Sequence, residues 1–313
     1  MSKYSKFGRI GVLMGGPSSE REISFKSAKS VCESLNSLDL DFVSIDIQTD
    51  NVEENIRLIK SYNIDCAFIA LHGYFGEDGK IQEILDRLDI PYTGSDASAS
   101  KRAMDKVSSH EIFAAAGLNV PRYILLKKDF LKNKTALSSD FDFPWVIKPV
   151  THGSSIGLSI IDNKDDLEKA LYLAFGFDER VLIEEYIKGR ELTVGILKQM
   201  PLSVIEIIPK SRFFDYEAKY KSHATEYIVP AKLEDDIAKK VQETALLAHK
   251  SLGCFGCSRV DIILSQDNIP FVLELNNIPG LTENSLLPKA ASNDGIDFNQ
   301  LCLNLIESAY EKK

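Results

Sequence analysis

The residues best suited to chemistry lie between Ser258 and Asn277. Two strand-like runs, Arg259–Leu264 and Phe271–Asn276, flank the dipeptide Asp267-Asn268. Asp and Asn tolerate positive φ, so the dipeptide predicts a two-residue hairpin turn. Centred there, the hairpin sets Asp261 opposite Glu274 and Arg259 opposite Asn276. Period-two alternation puts these four side chains on one face and Val260, Ile262, Leu264, Phe271, Leu273 and Leu275 on the other. Two carboxylates, an amide oxygen and a guanidinium thus converge on one side of a half-buried hairpin. Hard divalent cations take oxygen ligands of this kind, and Mg²⁺ commonly joins carboxylates to nucleotide phosphates. Mn²⁺ accepts the same set. A solvated polar face is the plainer use of such a pattern, but it leaves the directly opposed Asp and Glu unexplained, because like charges repel there.

Three other segments carry usable groups. Lys148 ends the apolar run Trp145–Ile147, and the flexible segment Pro149-Val150-Thr151-His152-Gly153-Ser154-Ser155-Ile156-Gly157 follows it. Lysine neutralises phosphate, and Ser and Gly backbone amides can wrap it; an exposed lysine on a surface hairpin has the same appearance. Gly15-Gly16-Pro17-Ser18-Ser19-Glu20 follows the first strand and opens a helix, a place that can hold an anion or simply make a tight turn. Glu20 could hold an ammonium group or serve the helix start. His72 ends the third strand, where ligands of open α/β sheets gather, although a lone histidine there also suits a structural hydrogen bond.

These groups need a frame. Over the first hundred residues, strand-like Ile10–Met14, Phe42–Ile47 and Ala67–Leu71 alternate with helix-like stretches. Ile23, Ala28, Val31, Leu35 and Leu38 recur at roughly helical spacing, with Ser19 and Glu22 as a capping box. The order predicts a parallel sheet covered by helices. After about Ser100 the pattern changes. A helix over Lys106–Ala116 ends at Gly117, and strands follow at Tyr123–Leu126, Trp145–Pro149, Leu158–Ile161 and Val181–Glu185. Asn163–Ala174 reads as a helix. Strands resume from Glu191 through Ile208, then a polar, aromatic-bearing loop over Lys210–Ala231, a helix over Leu233–Leu252, the hairpin and a last helix over Asp297–Tyr310. The reading is α/β followed by α+β, with no internal repeat.

Composition narrows the function classes. The 313 residues are 44% hydrophobic and 27% charged, with net charge −9. An acidic balance argues against a nucleic-acid surface. No apolar stretch approaches a bilayer span, and Met1–Arg9 with the short run Ile10–Met14 does not make a signal peptide, so the expectation is a cytoplasmic protein without membrane partners. Five cysteines exclude a disulfide framework. Cys254 and Cys257 form a C-x-x-C pair without the further ligands that zinc needs, and they read as small, partly buried residues.

Taken together, GGPSSERE, LHGYFGEDG, GSDASASKRAMDK, IKPVTHGSSIG, VLIEEYIKGRE, FFDYEAKY, SRVD and LELNNIPGLTENSLLPKAA resemble, in this order from Gly15 to Ala291, the D-alanine–D-alanine ligases of the ATP-grasp superfamily. The resemblance implies an ATP-grasp fold with an N-terminal Rossmann-like domain: residues 1–100, a central unit 101–190 and a C-terminal unit 191–313. It implies that Lys106, Lys148 and Ser155 meet ATP phosphates. Glu184 would read the adenine amino group, Glu185 and Ile187 would meet the ring through backbone groups, and Glu191 would hold the ribose. Asp261, Glu274 and Asn276 match the ligands of two Mg²⁺ (or Mn²⁺) ions, in agreement with the hairpin.

The implied reaction makes an acyl phosphate from one D-alanine, which the amine of a second then attacks. Lys219 matches a group at the transferred phosphate, and Arg259 with the Gly280 N–H matches an oxyanion hole. Glu20 and His72 match the first substrate site, and Ser285 and Leu286 the second. Tyr220, Ser154 and Glu20 match a triad that closes a loop over the site. Tyr220 also favours the dipeptide, since related ligases that make D-alanyl-D-lactate differ at that loop position, with histidine in one subgroup. Departures are Phe214 where tyrosine is common, Glu185 where lysine is frequent, and Cys257 in place of a larger apolar residue. A homodimer is implied by the family alone. The competing expectations are a related ligase using D-lactate or D-serine, a non-catalytic nucleotide-binding protein, which should have lost the metal set or Arg259, and a dehydrogenase, which the absent G-x-G-x-x-G disfavours.

Overall fold

The computed structural model describes residues 5–133, 137–209 and 225–311. The first sheet is parallel, in the order β2 (Phe42–Ile47), β1 (Ile10–Gly15), β3 (Cys66–Ile69). β1 and β3 are nearly continuous apolar runs because helices cover both of their faces. The first helices are α1 (Arg21–Ser37), α2 (Val52–Ser61) and α3 (Lys80–Arg87). The side chain of Asn51 caps α2 through the Glu54 amide. The capping box expected at Ser19 and Glu22 does not form. The helix begins one residue later with Glu20 as N-cap and no side-chain cap, while Ser18 Oγ accepts the Glu20 amide and donates to His72 O.

α4 (Ala97–Met104) and α5 (Lys106–Ala115) are separated by Asp105 alone. Its extended backbone breaks the helix, and its carboxylate caps α5 through the Ser108 amide at 3.0 Å. Lys106 therefore stands in the first turn of a new helix. A four-stranded antiparallel sheet follows, ordered β4 (Tyr123–Lys127), β7 (Arg180–Glu185), β5 (Trp145–Pro149), β6 (Ser159–Ile161). α6 (Phe130–Asn133) follows β4, and α7 (Leu167–Phe175) packs on this sheet's apolar face.

The larger sheet runs β11 (Thr225–Ile228), β10 (Ile205–Pro209), β8 (Gly189–Leu197), β12 (Cys257–Ser265), β13 (Pro270–Asn276), with β9 (Met200–Pro201) on β8. The loop expected over Lys210–Ala231 thus ends in a strand at Thr225–Ile228; its residues 210–224 lie outside the described residues. α8 (Asp235–Ser251) covers one face of this sheet. α9 (Leu286–Asn293) and α10 (Phe298–Glu311) follow, and their apolar faces join β8, α1 and the first sheet in one core. The chain's last helix thereby returns to the segment just before the first strand, with Tyr310 donating to Phe7 O at 2.7 Å.

The hairpin holds the main correction. Asp261 pairs with Glu274 and Arg259 with Asn276, as the alternation predicts. The turn, however, has three residues, closed by Ser265 N to Ile269 O (2.9 Å) and Asn268 N to Ser265 O (3.0 Å), with Asn268 at φ 57°. A turn followed by one left-handed residue is a common three-residue hairpin loop. The register then shifts between Asp261 and Ile262, which leaves Leu273 unpaired as a bulge. The extra turn residue and the bulge cancel at the site. Between them they move Phe271 and Leu273 off the buried face, where strict alternation had put them, and bring Val272 into the core beside Leu275, which stays there.

Candidate active site

Two cavities meet where α5 crosses the hairpin. The first, of about 440 Å³, lies between the two antiparallel sheets. Lys148 and Glu184 enter it from the smaller sheet. Glu191, Asp261 and Ile263 enter from the larger one, because β8 and β12 pair Asp261 with Thr193 and Ile263 with Glu191. The bulge adds Leu273 beside Glu274, which puts an apolar side chain next to a carboxylate in consecutive positions. The volume and mixed lining are those of a small-molecule site.

The polar groups are tightly coupled. Lys148 Nζ is 2.7 Å from Glu184 Oε2, and both residues are buried. Lys106 Nζ donates to His152 O at 2.7 Å and lies 3.5 Å from Glu274 Oε2. Burial pushes the Lys106 pKa down, and Glu274 opposes that shift. The Glu185 carboxylate turns away to clasp Arg122 with two contacts of 2.8 Å. That hydrogen-bonded pairing lowers its pKa, and it leaves the backbone of Glu185 and Ile187 along the cavity. An acidic side chain is tolerated at this position because it points out of the cleft.

The second cavity, of about 410 Å³, shares Lys106 and Glu274 with the first. It gathers Glu20, His72, Ser154, Arg259, Gly280 and Ser285, and Asn276 and Leu286 also line it. Ser154 Oγ donates to Glu20. Ser154 and Ser155 both adopt positive φ, 55° and 57°, conformations that cost a non-glycine residue roughly 1 kcal/mol each. The loop is anchored at Thr151, whose N–H and hydroxyl both reach Asp178 Oδ2, at 2.8 and 2.7 Å. Burial raises the Asp178 pKa, but these hydrogen bonds outweigh it and the net shift is downward. Both ring nitrogens of His72 have partners, Ser27 Oγ at 2.9 Å and Glu77 Oε1 at 3.4 Å. Ser27 in turn accepts the Leu281 amide at 3.3 Å, next to Gly280. A side chain on Gly280 would come within 2.9 Å of Ser285 Oγ. Ser285 precedes α9 and lines the cavity together with Leu286, so the site is bordered by a helix N-terminus, a setting suited to a carboxylate.

The donor set of Asp261, Glu274 and Asn276 fits a hard divalent ion. Asp261 is held in place: Oδ1 accepts from Thr193 Oγ1 (2.6 Å) and Arg259 Nε (2.9 Å), and Oδ2 accepts from the second arm of Arg259 (2.8 Å). Asn276 Oδ1 accepts the Ile278 amide at 2.9 Å. Among the described residues no group of three or more His, Cys, Asp and Glu is arranged to hold a metal. Two protein carboxylates and an amide are what an ion shared with phosphate oxygens requires.

Lys219, Tyr220 and Phe214 lie outside the described residues. All the other expected site residues line one cavity or both. Sequence reasoning missed Thr193, the buried partner of Asp261, although a lone threonine in the apolar run Leu192–Leu197 was a visible signal. It also missed His110, Ser27 and Glu77. His110 follows Lys106 by four residues, the spacing that puts both on one helix face. Cys254 and Cys257 are buried free thiols, both pushed up to about 12 by burial.

A parallel N-terminal sheet beside two antiparallel sheets that close on a lysine-bearing cleft is the ATP-grasp arrangement. The family models described as D-ala D-ala ligase C-terminus and N-terminus match residues 112–307 and 48–95. The chain is 44% identical to the D-alanine–D-alanine ligase of Trichlorobacter lovleyi, over 96% of this chain and 95% of that one. It superposes on the crystal structure of the Bacillus anthracis D-alanine–D-alanine ligase complexed with ATP with a TM-score of 0.84, at 34% identity over 97% of each chain. The VanG D-Ala:D-Ser ligase of Enterococcus faecalis gives 0.83 at 30% identity, over 96% of this chain and 99% of that one. The chain belongs to the D-alanine–D-alanine ligase family. Among the described residues no helix is long and apolar enough to cross a membrane.

Proposed function

We propose that this protein joins two molecules of D-alanine at the expense of ATP, giving D-alanyl-D-alanine, ADP and phosphate, as a cytoplasmic step toward peptidoglycan. The observation that carries the reading is the shared wall of the two cavities. Lys106 and Glu274 border both, so a terminal phosphate in the first cavity can meet a carboxylate in the second.

In this reading the carboxylate of the first D-alanine attacks the γ-phosphorus and ADP leaves, forming an acyl phosphate. The amine of the second D-alanine, having lost a proton, attacks the acyl carbon, and phosphate departs. Phosphoryl transfer of this kind demands positioning and charge neutralisation. Lys106 and Lys148 suit the phosphates, with Ser155 and Lys219 beside them. Glu184, Glu185, Ile187 and Glu191 suit adenosine. Glu20 suits the first ammonium group, with His72 beside that substrate and Ser154 and Tyr220 closing over it. Ser285 and the Leu286 amide suit the second carboxylate. Arg259 and the Gly280 N–H suit the oxyanion, where preorganised donors act most strongly. Asp261, Glu274 and Asn276 would hold Mg²⁺, which supplies charge neutralisation at the phosphates.

Because a D-Ala:D-Ser ligase shares the fold, fold alone does not select the second substrate. D-alanine is favoured by Tyr220 and by relatives such as that of Geotalea uraniireducens, 42% identical and named D-alanine–D-alanine ligase. The test is phosphate release from Mg-ATP. Release with D-alanine and none with L-alanine is expected. Equal release with both, or with neither, contradicts the proposal.

A further inference from the structure

His110 is fully buried on α5. Its Nε2 lies 3.0 Å from the carbonyl oxygen of Leu273, the bulged residue of β13. A carbonyl only accepts, so the ring proton resides on Nε2 and Nδ1 presents a lone pair. Burial pushes the ring's pKa down, against the opposing pull of Glu184, and so favours the neutral ring.

Nδ1 stands 3.7 Å from Glu184 Oε1. Both atoms are buried and, among the described residues, neither has a hydrogen-bond partner. The other carboxylate oxygen is engaged by Lys148. A buried carboxylate oxygen with no donor is uncommon in a folded protein. Here the nearest ring group cannot relieve it, because its single proton is committed elsewhere. Glu184 lines the cavity assigned to ATP, and so does Leu273.

We infer that His110 is a positioning residue for the nucleobase: it spends its one proton on Leu273, which fixes the strand lining the cavity, and makes no competing hydrogen bond to Glu184, which lines the same cavity. The ligand class is a purine with an exocyclic amine at the ring edge facing Glu184. A 6-oxo purine would set an acceptor against the carboxylate and be rejected. The same hydrogen bond pins the bulge that aims Leu273 and Glu274 into the cleft together, which links base recognition to the phosphate end. The inference rests on the reading of this cavity as the ATP site.

The experiment is calorimetric titration with the non-hydrolysable ATP and GTP analogues carrying a β,γ-imido bridge, with no amino acid present. Nucleotide binding is thereby read even if the ligase reading fails. In His110→Leu, affinity for the ATP analogue should fall about ten-fold, in line with the loss of one buried hydrogen bond, and the preference over the GTP analogue should shrink. His110→Gln, which keeps a donor near the position of Nε2, should recover most of both. In turnover, His110→Leu should raise the KM for ATP while the KM for D-alanine and kcat stay within about two-fold. Unchanged nucleotide affinity and preference in His110→Leu would overturn the inference. So would a loss that His110→Gln fails to rescue, or an equal rise in both KM values.

Discussion

Mild acid should loosen the strand that carries Arg259 and Asp261, through His249. This histidine on α8 is fully buried. Its Nδ1 is 2.7 Å from Ser258 Oγ, next to Arg259, and Gln199 approaches Nε2 at 3.4 Å. An amide nitrogen only donates, so Nε2 accepts and Nδ1–H donates to Ser258. Burial, reinforced by Lys250, lowers the His249 pKa from 6.5 to about 4. Below pH 6.5 the unfolded chain takes up a proton that the folded chain refuses until about pH 4. Stability is therefore complete above pH 6.5 and falls as the pH drops through that window. The full loss is about 3 kcal/mol, of which about 2 kcal/mol is gone by pH 5. The assay is urea denaturation at pH 7.5 and 5 for the wild type and His249→Gln. Other titrating groups are common to both proteins, so the difference between their pH slopes isolates His249. The variant should be less stable at pH 7.5 but lose about 2 kcal/mol less on acidification. Parallel losses in the two proteins would refute the argument.

Two further outcomes follow from the hairpin. Arg259→Ala should cut turnover about 10²–10³-fold, the usual cost of one oxyanion donor. The KM for ATP should change little, because Thr193 still holds Asp261; near-normal turnover would remove Arg259 from the oxyanion role. Glu274→Gln should raise the Mg²⁺ concentration needed for half-maximal rate by ten-fold or more, on the order expected for replacing a hard charged ligand by a neutral one, and an unchanged magnesium titration would contradict the metal assignment.

Much of this was legible in the residues. Alternation in Arg259–Leu264 and Phe271–Asn276 was enough to oppose Asp261 and Glu274. It was blind to the compensating pair of irregularities, because a three-residue turn and a one-residue bulge leave the distal register unchanged. Only Phe271 and Leu273 betray them, by leaving the buried face, Leu273 toward the cleft. The pairing of Lys148 with Glu184 was hidden for a different reason. It depends on β7 lying beside β5 although α7 separates them in sequence, and strand order is a tertiary property. The Ser19–Glu22 box was misplaced because the helix starts after Glu20, where Ser18 ties the Glu20 amide to His72 O, a long-range contact that local propensity does not contain. His110 was passed over because a histidine inside a helix announces nothing until its two nitrogens can be assigned partners.

The most direct test of the central claim is the identity of the product. The protein should be incubated with Mg-ATP and an equimolar mixture of D-alanine, D-serine and D-lactate at neutral pH, and the products separated by mass. The account predicts D-alanyl-D-alanine as the dominant product, formed in step with phosphate release. A dominant D-alanyl-D-serine or D-alanyl-D-lactate product would contradict it.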